Sequence, residues 1–176
     1  HVMDAEKLEF RSKYFDAVIC SFGLFFLPDM EAALRSWLRV SKPGATIMFS
    51  AFADGLMEPM SSMFRERIQQ YGVSIDMEAW HRLRDERDIH ALFEKVGAEQ
   101  IKVVDKQFGI HLNCADDWWE VIWNSGYRGI VAQLDSAQLE QFKREHLAEV
   151  AELKTDKGIW MDVPVHIASA LRPKDN

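Results

Sequence analysis

Six histidines, two cysteines and scattered carboxylates are the groups in this chain able to move a proton, attack a substrate or bind a metal. Imidazole exchanges its proton near neutral pH, so the placement of each histidine matters. His111 and His166 fall near the ends of expected strands, where a general base can face a ligand. His81, His90 and His146 fall on helical stretches and read as solvated, and His1 is terminal. His111 and Cys114 have a ligand-like spacing, but a metal centre needs further ligands and none is identifiable, so no metal is expected. Asp116-Asp117 stand where a helix begins, and capping explains them better than paired-carboxylate chemistry. No Ser/His/Asp arrangement stands out locally, although such groups meet in space rather than in sequence.

A second kind of surface is aromatic. Trp118, Trp119, Trp123 and Tyr127, with Phe22 and Phe26, could wall a water-poor substrate pocket. Aromatic residues at helical spacing equally suit a core, and the core is expected to claim at least two of them.

The elements that must position these groups alternate. Phe15 to Cys20 is short, almost continuously apolar and closed by Ser21-Phe22-Gly23, as in a parallel strand covered on both faces. Asp29 can cap a helix with Met30, Ala33, Leu34, Trp37 and Leu38 on one face, stopped by Lys42-Pro43-Gly44, and Ala45 to Phe52 is the next strand. Strand, helix and strand in this order make a crossover with parallel neighbours. Met57, Met60, Phe64, Ile68 and Tyr71 recur at helical spacing, and their methionines suit a core or lid. Asp88 can cap a helix ending at Gly97, and Gln100 to Phe108 is a less apolar strand nearer an edge. Residues 114–153 then break the alternation as a helical cap insertion, with Ser136 able to cap its longer helix. Ile159 to Leu171 alternates as a last strand, with Pro164 suggesting a bulge.

At 176 residues with 48% hydrophobic content, residues 1–176 suit one domain. The net charge of −7 and the lack of a dense Lys/Arg cluster argue against a nucleic-acid partner. No apolar run is long enough to span a bilayer, no signal peptide is present, and two cysteines make no disulfide framework, so a cytoplasmic protein is expected.

Asp4-Ala5-Glu6-Lys7-Leu8, the strand Phe15-Asp16-Ala17-Val18-Ile19-Cys20, the turn Ser21-Phe22-Gly23-Leu24, the helix start Leu27-Pro28-Asp29 and Arg39-Val40-Ser41-Lys42-Pro43-Gly44 follow in one order. Together they resemble the C-terminal portion of a class I S-adenosylmethionine-dependent methyltransferase, closest to the ubiquinone and menaquinone biosynthesis branch. The resemblance implies an α/β fold, a partial doubly wound sheet with a helical insertion before an antiparallel last strand. It implies S-adenosylmethionine as cofactor, with Asp4 accepting from the adenine amino group, the Ala5 backbone reading the ring edge, and Cys20, Ser21, Phe22 and Gly23 lining the site. Phe26, Trp118, Trp119, Trp123 and Tyr127 are the candidate contacts to a small-molecule substrate.

The family's glycine-rich loop has no counterpart here, and no Gly-x-Gly pattern occurs. The expectation is therefore a truncated methyltransferase, binding cofactor weakly by itself, whose Phe15 to Cys20 strand presents an apolar edge able to pair with a second copy. The alternative is a non-catalytic, oligomeric binding module derived from the same fold.

Overall fold

The computed structural model describes residues 1–75 and 82–175; the expected helix-surface residue His81 lies outside the described residues. The chain divides into two compact units. The first comprises His1–Asp54, Met77–Gln107 and Pro164–Asn176, the second Gly55–Asp76 and Phe108–Val163.

Four strands form one sheet: β1 (Phe15–Cys20), β2 (Ser41–Phe52), β3 (Glu99–Leu112) and β4 (Ile159–Leu171), in the order β1-β2-β4-β3. β1 and β2 are parallel, as the crossover pattern requires, and β4 is antiparallel to β2, as the resemblance implies. The crossover helix α1 (Met30–Val40) starts at Asp29, whose carboxylate accepts from the Ala32 amide at 2.9 Å. Its spacing turns Ala33, Leu34, Trp37 and Val40 inward. Ala33, Leu34 and Trp37 join Ile47, Phe49 and Ala168 of the sheet and Ile89 and Phe93 of α3 (Glu86–Lys95), with Phe49 and Phe93 stacked at 5.2 Å between ring centres. β3 is an edge strand with most residues exposed, in keeping with its weaker apolar pattern.

The second unit holds α2 (Met60–Gln69), α4 (Ala115–Trp123), α5 (Tyr127–Val131) and α6 (Ser136–Ala151). Phe64 and Ile68 of α2 are buried, as are Trp118, Tyr127, Phe142 and Val150.

Several local expectations are corrected. β1 is parallel but not covered on both faces: it lies at the sheet edge, and Asp16, Ala17 and Ile19 are exposed, Ile19 by 70%. An apolar run supplies what a covered strand needs without supplying the cover. β2 begins at Ser41 rather than Ala45, so Pro43 and Gly44 lie inside the strand; Gly44 takes a φ of +78°, which only a residue without Cβ adopts cheaply. Asp85, not Asp88, caps α3. Asp135, not Ser136, caps α6, because Asp135 and Gln138 form a reciprocal capping box that Ser136 cannot make. Cys114 occupies the cap position of α4, leaving Asp116 and Asp117 in its first turn; Asp117 instead accepts from the Asn113 amide at 2.7 Å. His146 is fully buried rather than solvated, since its side of α6 faces Phe64 and Trp118.

Candidate functional site

At the carboxyl end of β1 the chain turns through Ser21-Phe22-Gly23. Phe22 takes a left-handed φ of 49°, its amide donates to Ser50 Oγ at 3.0 Å, and its ring stacks on Phe52 at 4.6 Å. The turn is thereby pinned to the carboxyl end of β2, the edge where open α/β sheets bind ligands. A Cβ added at Gly23 would lie 2.9 Å from Cys20 Sγ, so a side chain there would have to displace the thiol. Burial pushes the Cys20 thiol above its ordinary range, while amides of Gly23 and Leu24 pull the other way.

The loop from Asp4 is fastened along α1. Trp37 Nε1 donates to the Ala5 carbonyl at 2.9 Å, and the Arg39 guanidinium bonds the carbonyls of Leu8 and Phe10. The Asp29 amide reaches Glu6 Oε1 at 3.4 Å. One Asp4 oxygen accepts from the Glu6 amide at 2.9 Å. Among the described residues, the other Asp4 oxygen and the Ala5 amide have no protein partner, and both residues are exposed. Expected cofactor residues far apart in sequence thus sit on one frame: α1 carries the loop and follows the turn.

The aromatic candidates separate. Phe26 is in the first unit, 56% exposed, with its ring 4.5 Å from Phe25. The other four belong to the second unit, where Trp118 and Tyr127 are core. Trp119 stacks on the more exposed Trp123 at 6.2 Å, beside a shallow cavity of about 330 Å³ that also touches Leu139 and Lys143.

Sequence reasoning missed a groove of about 560 Å³ in the first unit, lined by Asp54, Arg84, Asp85, Asp105, Lys106 and His166 among others. His166 is buried there, with Nδ1 2.6 Å from Asp105 Oδ1 and Nε2 2.7 Å from the Arg84 carbonyl. His166 stood out in the sequence as an imidazole near a strand end; its partners lie 61 and 82 residues away, and no local pattern joins them. His111 is exposed, its ring 4.7 Å from Trp160, and His90 lies 3.5 Å from Glu86.

Residues 1–49, which hold the Asp4 loop, β1, the turn and α1, match a family described as methyltransferase domain. The chain is 30% identical over 121 residues to the ubiquinone/menaquinone biosynthesis C-methyltransferase UbiE of Proteus mirabilis, an alignment covering 61% of this chain and 48% of that protein. Over these stretches the chain is similar to class I S-adenosylmethionine-dependent methyltransferases. To UbiE of Yersinia pestis it is 43% identical over 61 residues, 35% of this chain and 24% of that protein. The chain thus spans at most about half the length of these curated relatives. Among solved structures, an Anabaena variabilis protein assigned as a methyltransferase of an antibiotic biosynthesis pathway superposes with a TM-score of 0.62 at 16% identity, covering 97% of this chain and 72% of that one. A Bacillus halodurans protein assigned as a methyltransferase gives 0.54 at 17% identity, covering 98% and 70%. These likenesses establish the methyltransferase fold of the four-stranded sheet.

Proposed function

We propose that this chain serves S-adenosylmethionine-dependent methyl transfer to a small molecule, and that it holds the adenine side of the cofactor site. The observation that carries this reading is the Asp4-Ala5 pair in the loop that Trp37 and Arg39 of α1 fasten. Adjacent in sequence, one carboxylate oxygen of Asp4 and the backbone N–H of Ala5 are an acceptor and a donor without protein partners among the described residues. That pair complements adenine, whose amino group donates and whose adjacent ring nitrogen accepts.

S-adenosylmethionine, when bound, supplies an electrophilic methyl on a sulfonium. The chain's own residues bind and orient. Asp4 and Ala5 would fix the base. The Phe22 ring, locked against Phe52, offers an apolar face at the carboxyl edge, and Gly23 keeps the turn low beside Cys20. The Cys20 thiol, its pKa raised by burial, remains a neutral lining group instead of a competing nucleophile. The groove with His166 lies one strand along the same edge, since Phe52 pairs with Val165, and is our site for the acceptor. Its charged lining suits a polar acceptor better than a long apolar chain. Phe26, exposed near the turn, is a further acceptor contact in this reading. Among the described residues no helix is long and apolar enough to cross a membrane, and both cysteines are free, which supports a cytoplasmic setting.

Isothermal titration of the 176-residue chain with S-adenosylhomocysteine tests the reading. Asp4→Ala should weaken binding about tenfold, the value of one charge-assisted hydrogen bond. Binding unchanged by Asp4→Ala, or no binding by the folded chain, would remove the adenine assignment.

A further inference from the structure

The groove at the end of β2 has a wall that one imidazole helps to hold. Both neighbours of His166 are hydrogen-bond acceptors: the Asp105 carboxylate on Nδ1 and the Arg84 carbonyl on Nε2. A neutral imidazole has one N–H and one lone pair, so it can serve only one of them; the imidazolium has two N–H donors and serves both. We propose that His166 is a positioning residue, a proton-operated clamp that as imidazolium ties the Arg84 segment to β3 and β4 and fixes the width of the groove.

Charged groups of both signs line the groove around the ring. Asp105 and Lys106 face the groove from β3, Asp54 from just beyond β2, Arg84 and Asp85 from the segment leading into α3, and Glu86 from the first turn of α3. Four carboxylates thus stand against two permanent cations.

The clamp has something to hold. Arg82, on the same segment, donates to the carbonyls of Leu27 at 2.6 Å, Pro28 at 3.1 Å and Phe25 at 3.3 Å, next to the Ser21-Phe22-Gly23 turn. The Arg84 guanidinium pairs with Asp54. When the ring gives one proton to solvent, the remaining N–H stays with the carboxylate, the stronger acceptor, and the lone pair on Nε2 faces the Arg84 carbonyl. That contact opens while Arg82 keeps its anchor, so the groove widens at its His166 side. Deprotonation therefore changes the groove and leaves the nearby turn in place.

Nuclear magnetic resonance of the whole chain, with ¹⁵N-labelled histidine and backbone amides followed across pH, tests this without cofactor or substrate. Failure of the methyl-transfer reading would leave the outcome untouched. Both ring nitrogens of His166 should be protonated at the acid end, and the amides of Asp85 and Asp105 should shift with the same midpoint as the ring. Asp105→Asn, at a largely exposed carboxylate, should keep the fold and move that common midpoint to lower pH. His166→Gln should abolish the shared transition. A ring that titrates while the two amides stay still, or a midpoint unmoved by Asp105→Asn, overturns the proposal.

Discussion

The Trp118 indole N–H donates to Nε2 of His146 at 2.8 Å inside a core otherwise built of Phe64, Tyr127 and Phe142. Accepting at Nε2 puts the proton of the neutral ring on Nδ1, which has no hydrogen-bond partner among the described residues; the Glu149 carboxylate is 3.9 Å away. Burial pushes the His146 pKa down to about 4, against an opposing pull from Glu149. The unfolded chain, with an ordinary imidazole near 6.5, then binds this proton more readily than the folded one. The stability contributed by a neutral His146 is complete above about pH 6.5 and is lost as pH falls towards 4, a loss of about 3 kcal/mol. Urea unfolding at pH 7.5, 5.5 and 4.5 should show this decline, and His146→Gln should flatten it. Equal pH slopes in the two proteins would refute the assignment.

Removing the donor has a different signature. Trp118→Phe strands the buried Nε2 acceptor, and about 2 kcal/mol of stability should go with it. In Trp118→Phe/His146→Phe both polar partners disappear together, so the double variant should lose less than the sum of the single losses. Denaturant midpoints of the four proteins close this cycle, and strict additivity would mean that the hydrogen bond carries no coupling.

Two glycines of the second unit should respond oppositely to alanine. Gly158 has a φ of +106°, and an added Cβ would sit 2.3 Å from the Leu112 carbonyl oxygen, backbone that cannot swing away. Gly158→Ala should cost about 3 kcal/mol. Gly129 lies in α5 with open space around its missing Cβ, so Gly129→Ala should be neutral or stabilising by up to about 1 kcal/mol. Thermal melts of both variants measure the contrast.

What the sequence revealed was mostly short-range. Asp29 and its apolar spacing announced α1, and the crossover order announced the parallel pairing of β1 with β2. Choices between neighbouring candidates were less legible: Asp85 over Asp88 and Asp135 over Ser136 depend on which side-chain oxygen meets a free helix amide. Burial by distant elements was not legible at all. Ile19 looks like a core residue and is bare, whereas His146 looks like a surface residue and is sealed, because cover comes from chain far away in sequence. The Asp4 loop and the Cys20 to Gly23 turn were marked by resemblance. The His166 groove, assembled from four separate stretches, carried only the faint mark of an imidazole near a strand end.

The bare edge of β1 yields the last prediction. β1 pairs with β2 on one side only, and the strand order gives it no second neighbour among the described residues. Its other side presents unpaired backbone groups beside Ile19, which is 70% exposed. Such an edge accepts another strand, and the partner we propose is β1 of a second copy, because the same edge on both molecules is self-complementary under twofold symmetry. Light scattering of this chain at micromolar concentration should give a mass above that of one 20.4 kDa chain. Ile19→Lys, which places like charges on both copies at the contact, should return it to monomer with its own melting temperature little changed, since the side chain is already in water. A monomeric parent chain would leave this edge without the proposed partner, and an Ile19→Lys protein that stays associated would move the contact to another surface.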